Sequence, residues 1–338
     1  MKSSICQIAE HVLIGILKLF NLTELEQAAK TVHKVVKPTL QNNWAQLCQK
    51  LECDVWVKHE NHTPTTAFKV RGGVYLMDCL VRSEKPPIGL ISATRGNHGQ
   101  SLSFSGNRVG MPITIVVPEN NSEDQNRAIK AFGAELIIHG KDFQAARMHS
   151  LKLQEQYGYM PIPPFCRELV IGVATYALEF LSAIKDLDTI YVAVGMGSGI
   201  CGLIKTRDLL GLKTKIVGVV AEGAPTFALS FNAGKVIPTD GANTLADGVA
   251  TSEPMEEAFD MILKGADRIV SVSEDQIIGA MFEYYQSTHN LAEGAGAVPL
   301  AGLIKEKQQM KGKKVGVILS GGNIDFDRFR DYMARLSV

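Results

Sequence analysis

One lysine of this sequence is placed where its amine could do covalent chemistry. Lys69 follows an aromatic residue in the stretch TPTTAFKVRGG, at the expected start of a helix. A lysine amine that is buried or lies near other cations loses charge stabilisation, so its pKa falls and it can form a Schiff base with an aldehyde. We therefore expect Lys69 to anchor an aldehyde cofactor, with a solvated surface charge as the structural alternative.

A glycine-rich loop that could hold a phosphate follows the apolar run TIYVAV. Glycines allow backbone N–H groups to pack around a phosphate, and the positive end of the following helix adds to the attraction. The loop, GMGSG, consists of Gly195, Met196, Gly197, Ser198 and Gly199. It predicts a phosphate site, and a turn that is glycine-rich only for tight packing is the alternative.

Two more stretches follow apolar strands. In SATRGNHGQ, residues 92–100, backbone N–H groups could hold a carboxylate, and Asn97 offers a neutral donor to a phenolic oxygen. SGGN, residues 320–323, ends the last apolar strand, where open parallel sheets bind ligands. Seen singly, each stretch could be an ordinary helix cap or turn. Three glycine-rich strand ends together with Lys69 indicate a ligand site.

A dinucleotide-binding loop is the rival interpretation of GMGSG. The later strand IVGVVAE ends in Glu222, close to the roughly 20-residue offset at which an acidic residue binds a ribose. Under that interpretation the protein is a dehydrogenase. Lys69 and the two further glycine-rich stretches favour the aldehyde cofactor instead.

Strands and helices alternate along most of the chain, which indicates an α/β fold with mostly parallel sheets covered by helices. The predicted strands are Asp54–Lys58, Ile88–Ala93, Ile113–Val117, Glu135–Ile138, Ile190–Val194, Ile216–Val220, Arg268–Val272 and Val315–Leu319. Proline clusters at 86–87 and 161–164 divide the chain. We predict a large cofactor-binding domain from residues 1–80 and 161–338, with a small domain, residues 81–160, inserted in it.

Helices are predicted between these strands and before them, and two of them rest on periodicity or on a capping signal. The apolar residues of Ile5–Phe20 fall on one helical face, which predicts an amphipathic first helix. Thr23 and Glu26 match a capping box, so a second helix is expected from there to Pro38. A later helix is predicted over Tyr176–Lys185.

Composition favours a small-molecule partner. Lysine plus arginine (35) balance aspartate plus glutamate (35) over 338 residues, which gives no long-range field for nucleic acid or for an anionic membrane. The apolar content of 46% is sufficient for sizeable cores. The six scattered cysteines match neither a zinc site nor a redox pair, so we expect reduced thiols in a cytoplasmic protein.

The order of TAFKVRGG, TRGNHGQ, GMGSG and SGGN along the chain resembles that of the fold type II pyridoxal-phosphate enzymes. The resemblance is closest to the threonine/serine dehydratase (ammonia-lyase) and serine racemase group, and it covers about residues 23–335. It implies a two-domain fold like that of the tryptophan synthase β-subunit, with the cofactor between the domains. A homo-oligomer, specifically a dimer, is expected.

The resemblance implies a role for each matching residue. Lys69 would bind pyridoxal 5'-phosphate, Phe68 would flank its ring and Asn97 would donate to its phenolic oxygen. The GMGSG loop would hold the phosphate, Gly248 would lie beside the cofactor and Ser320 would face the pyridine nitrogen. The substrate would be bound by Ser92, Thr94, Arg95, Gly96 and His98.

The resemblance also implies the reaction. A small hydroxy-amino acid such as L-threonine or L-serine would lose its α-proton to Lys69 and then its β-hydroxyl, and hydrolysis would give a 2-oxo acid and ammonia. Dehydration of 3-hydroxyaspartate or another larger hydroxy-amino acid, serine racemisation, β-replacement and binding without catalysis are the alternatives. No metal site is expected, because Thr226 and Ala228 add no carboxylate to Glu222.

Arg95 departs from the pattern of this group. Racemases of the group have a serine at this position to return a proton, and a guanidinium cannot donate its proton at neutral pH. We therefore expect elimination without appreciable racemisation. If Arg95 faces the substrate, its guanidinium could bind a second carboxylate, and pairing with a surface carboxylate is the alternative.

The place where the sequence ends bears on the expected regulation. Relatives that are regulated by an end-product amino acid carry an added C-terminal regulatory domain. This sequence stops at Val338, soon after SGGN and one last helix. We therefore expect hyperbolic kinetics without inhibition by isoleucine.

Overall fold

Two sheets and the helices packed on them make up residues 19–336, which the computed structural model describes. The strands are β1 (Gln41–Asn43), β2 (Asp54–His59), β3 (Leu90–Ala93), β4 (Ile113–Val117), β5 (Glu135–Ile138), β6 (Met160–Pro161), β7 (Thr189–Ala193), β8 (Lys215–Ala221), β9 (Arg268–Val272) and β10 (Lys314–Leu319). The helices are α1 (Leu22–Val32), α2 (Ala45–Leu51), α3 (Lys69–Val81), α4 (Asn97–Asn107), α5 (Glu123–Ala131), α6 (Phe143–Tyr157), α7 (Arg167–Ala183), α8 (Ser198–Leu209), α9 (Thr226–Ala233), α10 (Glu256–Gly265), α11 (Glu274–Thr288), α12 (Gly294–Lys305), α13 (Lys307–Met310) and α14 (Phe326–Met333).

The larger sheet has six strands in the order β1-β2-β10-β7-β8-β9, and every neighbouring pair except β1 and β2 is parallel. The smaller sheet has four parallel strands in the order β5-β4-β3-β6. Parallel neighbours bring the carboxyl ends of their strands to one edge. The loops that follow β7 and β10 therefore lie side by side.

Both faces of the larger sheet are buried. Along β8, Ile216 and Val220 pack with apolar residues of α7 and α8, whereas Val217 and Val219 pack with those of α11 and α12. Successive side chains of a strand point to opposite faces, so this alternation is that of a sheet covered by helices on both sides. It confirms the predicted α/β class.

The predicted bounds of the strands agree with the structure to within two residues. For the second predicted helix, which corresponds to α1, the predicted capping residues and the predicted end are wrong. The side chain of Asn21 accepts a hydrogen bond from the N–H of Glu24, and the Glu24 carboxylate accepts one from the N–H of Asn21. The capping box thus begins two residues before the expected pair, Thr23–Glu26, because asparagine is the better cap. Helix α1 also ends at Val32, well before Pro38.

The prediction for the helix over Tyr176–Lys185 is wrong at its start, since α7 begins at Arg167. Every residue of 169–177 is buried. A helix that is apolar all round shows no polar face, so its period of 3.6 residues is hidden in the sequence.

Two predictions are not settled by this architecture. The amphipathic helix expected over Ile5–Phe20 lies outside the described residues, except for Leu19 and Phe20, which are buried. The smaller sheet runs from Leu90 to Pro161, and the domain boundaries at residues 81 and 160 stay a prediction. Between residues 19 and 336, no helix combines the length and apolar character needed to cross a membrane.

Helix α3, which begins at Lys69, is held at close range by its neighbours. A Cβ at Gly72 would come within 2.8 Å of the Leu169 carbonyl oxygen on α7, and one at Gly73 would collide with Ser101 on α4. The hydroxyl of Ser101 also donates to the Lys69 carbonyl at 2.7 Å. The two glycines after Arg71 therefore let α4 and α7 approach the first turn of α3.

A buried ionic network anchors the same turn of α3. The guanidinium of Arg71 is fully buried and donates to Glu60 (Nε to Oε2, 2.6 Å) and to Glu179 (Nη1 to Oε1, 2.6 Å). Lys58, also fully buried, donates to Glu179 Oε2 at 2.5 Å, and Thr39 donates to Glu60 Oε1 at 2.6 Å. Two cations thus face two carboxylates, which removes the penalty of an unpaired buried charge.

We expect Arg71→Met to lower the free energy of unfolding by about 3–5 kcal/mol, because it leaves Glu60 and Glu179 buried with half of their positive charge removed. Urea unfolding at neutral pH measures the change. The matched control is Arg82→Met at the end of the same helix, whose side chain is 62% exposed and pairs with Asp78. That control should cost less than about 0.5 kcal/mol, and equal losses for both variants would contradict the interpretation.

Candidate active site

A cavity at the carboxyl ends of β7 and β10 brings together all ten residues assigned above to the cofactor. They are Phe68, Lys69, Asn97, Gly195, Met196, Gly197, Ser198, Gly199, Gly248 and Ser320. Tyr176 and Glu293 also line the cavity, and the sequence indicated a role for neither. Their roles stay predictions, but the geometry places these groups around one space.

Lys69 stands at the cavity wall as the first residue of α3. Burial lowers the pKa of its amine to about 8, against the opposing effect of the Glu293 charge. Its Nζ lies 5.4 Å from the centre of the Phe68 ring, and the N–H of Phe68 donates to the Ser320 carbonyl at 3.0 Å. About one-tenth of the amine is therefore neutral at pH 7 and available for attack on an aldehyde.

The GMGSG loop has a shape that requires glycine at two positions. Gly197 has φ +98°, a conformation that side chains disfavour, and it forms the N-cap of α8. A Cβ at Gly195 would collide with the carbonyl oxygen of Gly248. Because a glycine cap has no side chain, the first N–H groups of α8 are left for a ligand, as expected for an anion site.

Glu293 is an ionisable residue of the cavity that the sequence did not indicate. Its Oε1 accepts a hydrogen bond from Asn97 Nδ2 at 2.7 Å, and Asn97 Oδ1 accepts one from Asn323 Nδ2 at 2.8 Å. Burial raises the pKa of Glu293 to about 8, the hydrogen bond from Asn97 lowers it, the charge of Asp247 raises it and that of Lys69 lowers it. Glu293 occurs in a run of alanines and glycines, AEGAGA, which resembles an ordinary helix start.

Two of the five residues assigned to the substrate are fixed by the fold. Ser92 is buried and donates to the Ile162 carbonyl at 2.8 Å. His98 is buried with Nε2 lacking a hydrogen-bond partner, and burial together with the Lys69 charge lowers its pKa to about 3. His98 is therefore a neutral imidazole near the amine, and neither residue lines the cavity.

The other three form the loop between β3 and α4. Thr94 is buried and its hydroxyl accepts a hydrogen bond from the N–H of Gly96 at 3.4 Å, while Arg95 is half-buried. The positive charge of Arg95 acts on Asp247, the residue before Gly248 at the cavity wall. None of the three lines the cavity itself, so their contact with a substrate stays a prediction.

Glu222, required by the dinucleotide alternative, lies away from this cavity. Its side chain is 52% exposed at the end of β8 and pairs with Lys305 at 3.5 Å. The residues of the cavity fit pyridoxal phosphate instead. Lys69, with its lowered pKa, could bind the aldehyde, and Asn97 could donate to the phenolic oxygen. Ser320 could face the pyridine nitrogen, and the start of α8, where the Gly197 N-cap has no side chain, could bind the phosphate.

Comparison with protein families also points to pyridoxal phosphate as the cofactor. The family described as "Pyridoxal-phosphate dependent enzyme" matches residues 34–321. An L-threonine ammonia-lyase of Geobacter sulfurreducens is 34% identical over 304 residues, which are 90% of this chain and 75% of that protein. A biosynthetic L-threonine dehydratase of Haemophilus influenzae is 31% identical over 310 residues, 91% of this chain. The chain spans 60% of the length of that second relative.

Solved structures agree on the fold. The processed form of threonine deaminase isoform 2 from Solanum lycopersicum superposes with a TM-score of 0.86 at 29% identity, covering 93% of this chain and 89% of that one. Maize serine racemase gives a TM-score of 0.87 at 24% identity, covering 94% and 98% of the two chains. The second likeness supports the fold alone.

We expect Gly195→Ala to weaken pyridoxal phosphate binding about 10- to 100-fold, equivalent to roughly 1–3 kcal/mol, because the added methyl displaces the loop from the Gly248 carbonyl. Titration of the cofactor-free protein measures the dissociation constant. Gly279→Ala is the control, since a Cβ there meets no atom within 4 Å. An affinity unchanged in Gly195→Ala would show that the loop does not hold the cofactor.

Proposed function

The chain belongs to the pyridoxal-phosphate dependent enzymes, and we propose that it eliminates water from L-threonine or L-serine to give a 2-oxo acid and ammonia. The observation that carries the proposal is the cavity that joins Lys69 to the GMGSG loop. Alignment with L-threonine ammonia-lyases over nine-tenths of the chain supports the choice of reaction. A hydroxy-amino acid is the substrate class.

Bound pyridoxal phosphate supplies an electron-withdrawing ring that makes the α-proton of an amino acid acidic. Lys69 anchors the cofactor and, once its amine is free, takes that proton at Nζ. A pKa of about 8 suits this work, because a useful fraction of the amine is neutral at physiological pH. The GMGSG loop and the start of α8 fix the phosphate, which orients the reacting carbon.

Two neutral polar groups complete the cofactor site. Asn97 is held by Glu293 and Asn323, so its amide is oriented before any ligand arrives. The Ser320 hydroxyl is buried, with the Ala295 carbonyl at 3.4 Å. A hydroxyl does not favour a protonated pyridine nitrogen as a carboxylate would, which limits how long negative charge can rest on the ring and favours loss of the β-hydroxyl.

We also propose that the enzyme works in the cytoplasm. The five cysteines of the described part of the chain are all free thiols, as in a reducing compartment. Four of them have pKa values raised by burial, so they are unreactive: Cys53, Cys79, Cys166 and Cys201. Assembly into a homodimer stays a prediction from the resemblance.

We expect Lys69→Ala to lose the visible absorption of bound cofactor and to lower turnover of threonine by more than about 10²–10⁴-fold, the usual contribution of a positioned base alone. Circular dichroism checks the fold, and 2-oxo acid release measures turnover. Lys130→Ala, an exposed lysine on α5, is the control. Turnover near wild type in Lys69→Ala would remove the assignment of anchor and base.

Arg95 gives a specificity prediction. If its guanidinium meets the substrate, Arg95→Ala should lower kcat/KM for 3-hydroxyaspartate about 10- to 100-fold relative to threonine, since a charge-assisted hydrogen bond contributes roughly 1.5–3 kcal/mol. Both substrates and serine are compared by 2-oxo acid release, and D-serine formation is measured in parallel. An unchanged ratio among the three means that Arg95 is no specificity residue, and appreciable D-serine contradicts elimination without racemisation.

A further inference from the structure

Tyr176 reaches from α7 to the start of α8, next to the GMGSG loop. Its side chain is buried and lines the cavity. Its hydroxyl donates a hydrogen bond to the carbonyl oxygen of Gly199, in the first turn of α8, at 2.9 Å. Burial raises the pKa of this phenol far above its usual value, so the hydroxyl keeps its proton at physiological pH.

The first turn of α8 has N–H groups that the helix itself does not use. Cys201 donates a hydrogen bond to the carbonyl oxygen of Gly197, the N-cap residue, at 2.9 Å. The N–H groups of Ser198, Gly199 and Ile200 precede that bond, so they have no acceptor within the helix. An anion beyond this end of α8 would accept hydrogen bonds from them, and the helix dipole would also stabilise it.

The carbonyl that Tyr176 contacts belongs to the same peptide unit as one of these donors. A peptide bond is planar, and in its trans form the C=O and the N–H point in opposite directions. The described residues contain no cis peptide bond. By binding the Gly199 oxygen, Tyr176 therefore fixes the plane that carries the Ile200 N–H. A hydrogen bond to the carbonyl also polarises the peptide, which makes this N–H a stronger donor.

Helix α7 contacts both parts of the cofactor site through two consecutive residues. Thr175 accepts a hydrogen bond from Nη1 of Arg71 at 3.2 Å, and Arg71 lies two residues after Lys69 on α3. Tyr176 contacts α8 and also packs edge-on against Phe68, with the ring centres 6.2 Å apart. The same turn of α7 therefore supports the helix of the reactive amine and the start of α8.

We propose that Tyr176 is a positioning residue for the phosphate of pyridoxal phosphate and that it acts through the peptide between Gly199 and Ile200. The proposal rests on the assignment of the GMGSG loop and the start of α8 to that phosphate. A phenol has a single proton, and the Gly199 carbonyl accepts it, so the hydroxyl does not donate to the phosphate itself. The effect of Tyr176 reaches the ligand through the Ile200 N–H.

Tyr176→Phe removes the hydroxyl and keeps the ring beside Phe68. Pyridoxal phosphate and pyridoxal, which lacks the phosphate, are titrated separately into the cofactor-free full-length protein, and absorbance gives the two dissociation constants. The variant should bind pyridoxal phosphate about 3- to 10-fold more weakly, as expected for the loss of a neutral hydrogen bond. Its affinity for pyridoxal should change by less than about 2-fold, so the ratio of the two constants isolates the phosphate.

Tyr191→Phe is the matched control. It removes another buried tyrosine hydroxyl, which belongs to β7 and donates to Glu306 Oε2 at 2.6 Å, and Tyr191 does not line the cavity. The ratio of the two dissociation constants in this variant should equal that of wild type. A ratio that stays at the wild-type value in Tyr176→Phe, because neither affinity changes or because both fall equally, overturns the proposal.

Inorganic phosphate gives a second measurement, which does not involve the amine of Lys69. It should compete with pyridoxal phosphate for the N–H groups of α8. Its inhibition constant should rise in Tyr176→Phe by the same factor as the dissociation constant of pyridoxal phosphate. An inhibition constant equal to that of wild type contradicts the role of Tyr176.

The phosphate site and the proposed reaction can fail separately. A wild-type protein that binds pyridoxal phosphate no more tightly than pyridoxal contradicts the phosphate site, and with it the role of Tyr176. A wild-type protein that binds the cofactor but forms no 2-oxo acid contradicts the proposed elimination only. The ratio of dissociation constants in Tyr176→Phe then still decides the role of Tyr176.

Discussion

The double ion pair of Arg71 is the interaction on which the position of the reactive lysine depends. Arg71 lies two residues after Lys69 and ties the first turn of α3 to Glu60, after β2, and to Glu179, on α7. A fully buried guanidinium is tolerated only with its partners in place, because an uncompensated charge in the interior costs several kcal/mol. The backbone of Lys69 therefore has one favourable position, and the cavity is built around it.

The same helical turn carries two cations with opposite electrostatic environments. Arg71 faces two carboxylates at hydrogen-bonding distance and stays charged, as a guanidinium does at all physiological pH values. Lys69 has no such ion pair among the described residues, and burial lowers the pKa of its amine to about 8, so the amine can lose a proton near neutral pH. Arg71 thus holds the helix in place, and Lys69 carries the reactive amine. In the sequence the two residues look alike, as two nearby positive charges.

A feature of the fold or the site could be predicted from the sequence only where it leaves a local pattern of residues. Strands of a sheet buried on both faces are continuous apolar runs, and a loop as rich in glycine as GMGSG stands out after such a run, so both could be predicted from the sequence. Burial of charge has no local signature: Arg71 and Lys58 look like surface residues until the tertiary fold brings Glu179 to them. Glu293 was missed for the same reason, since its neighbours in sequence are small and its partner, Asn97, is 196 residues away.

The position of Asn97 couples the two sheets to the protonation of the site. Asn97 begins α4, close after β3 of the smaller sheet. Glu293, Asn323 and the GMGSG loop lie in segments of the chain that come after strands of the larger sheet. Its hydrogen bonds to Glu293 at 2.7 Å and from Asn323 at 2.8 Å cross from one sheet to the other. Because the bond to Glu293 favours the ionised carboxylate, a displacement of the smaller sheet by even 1 Å would raise the pKa of Glu293 by the loss of that bond.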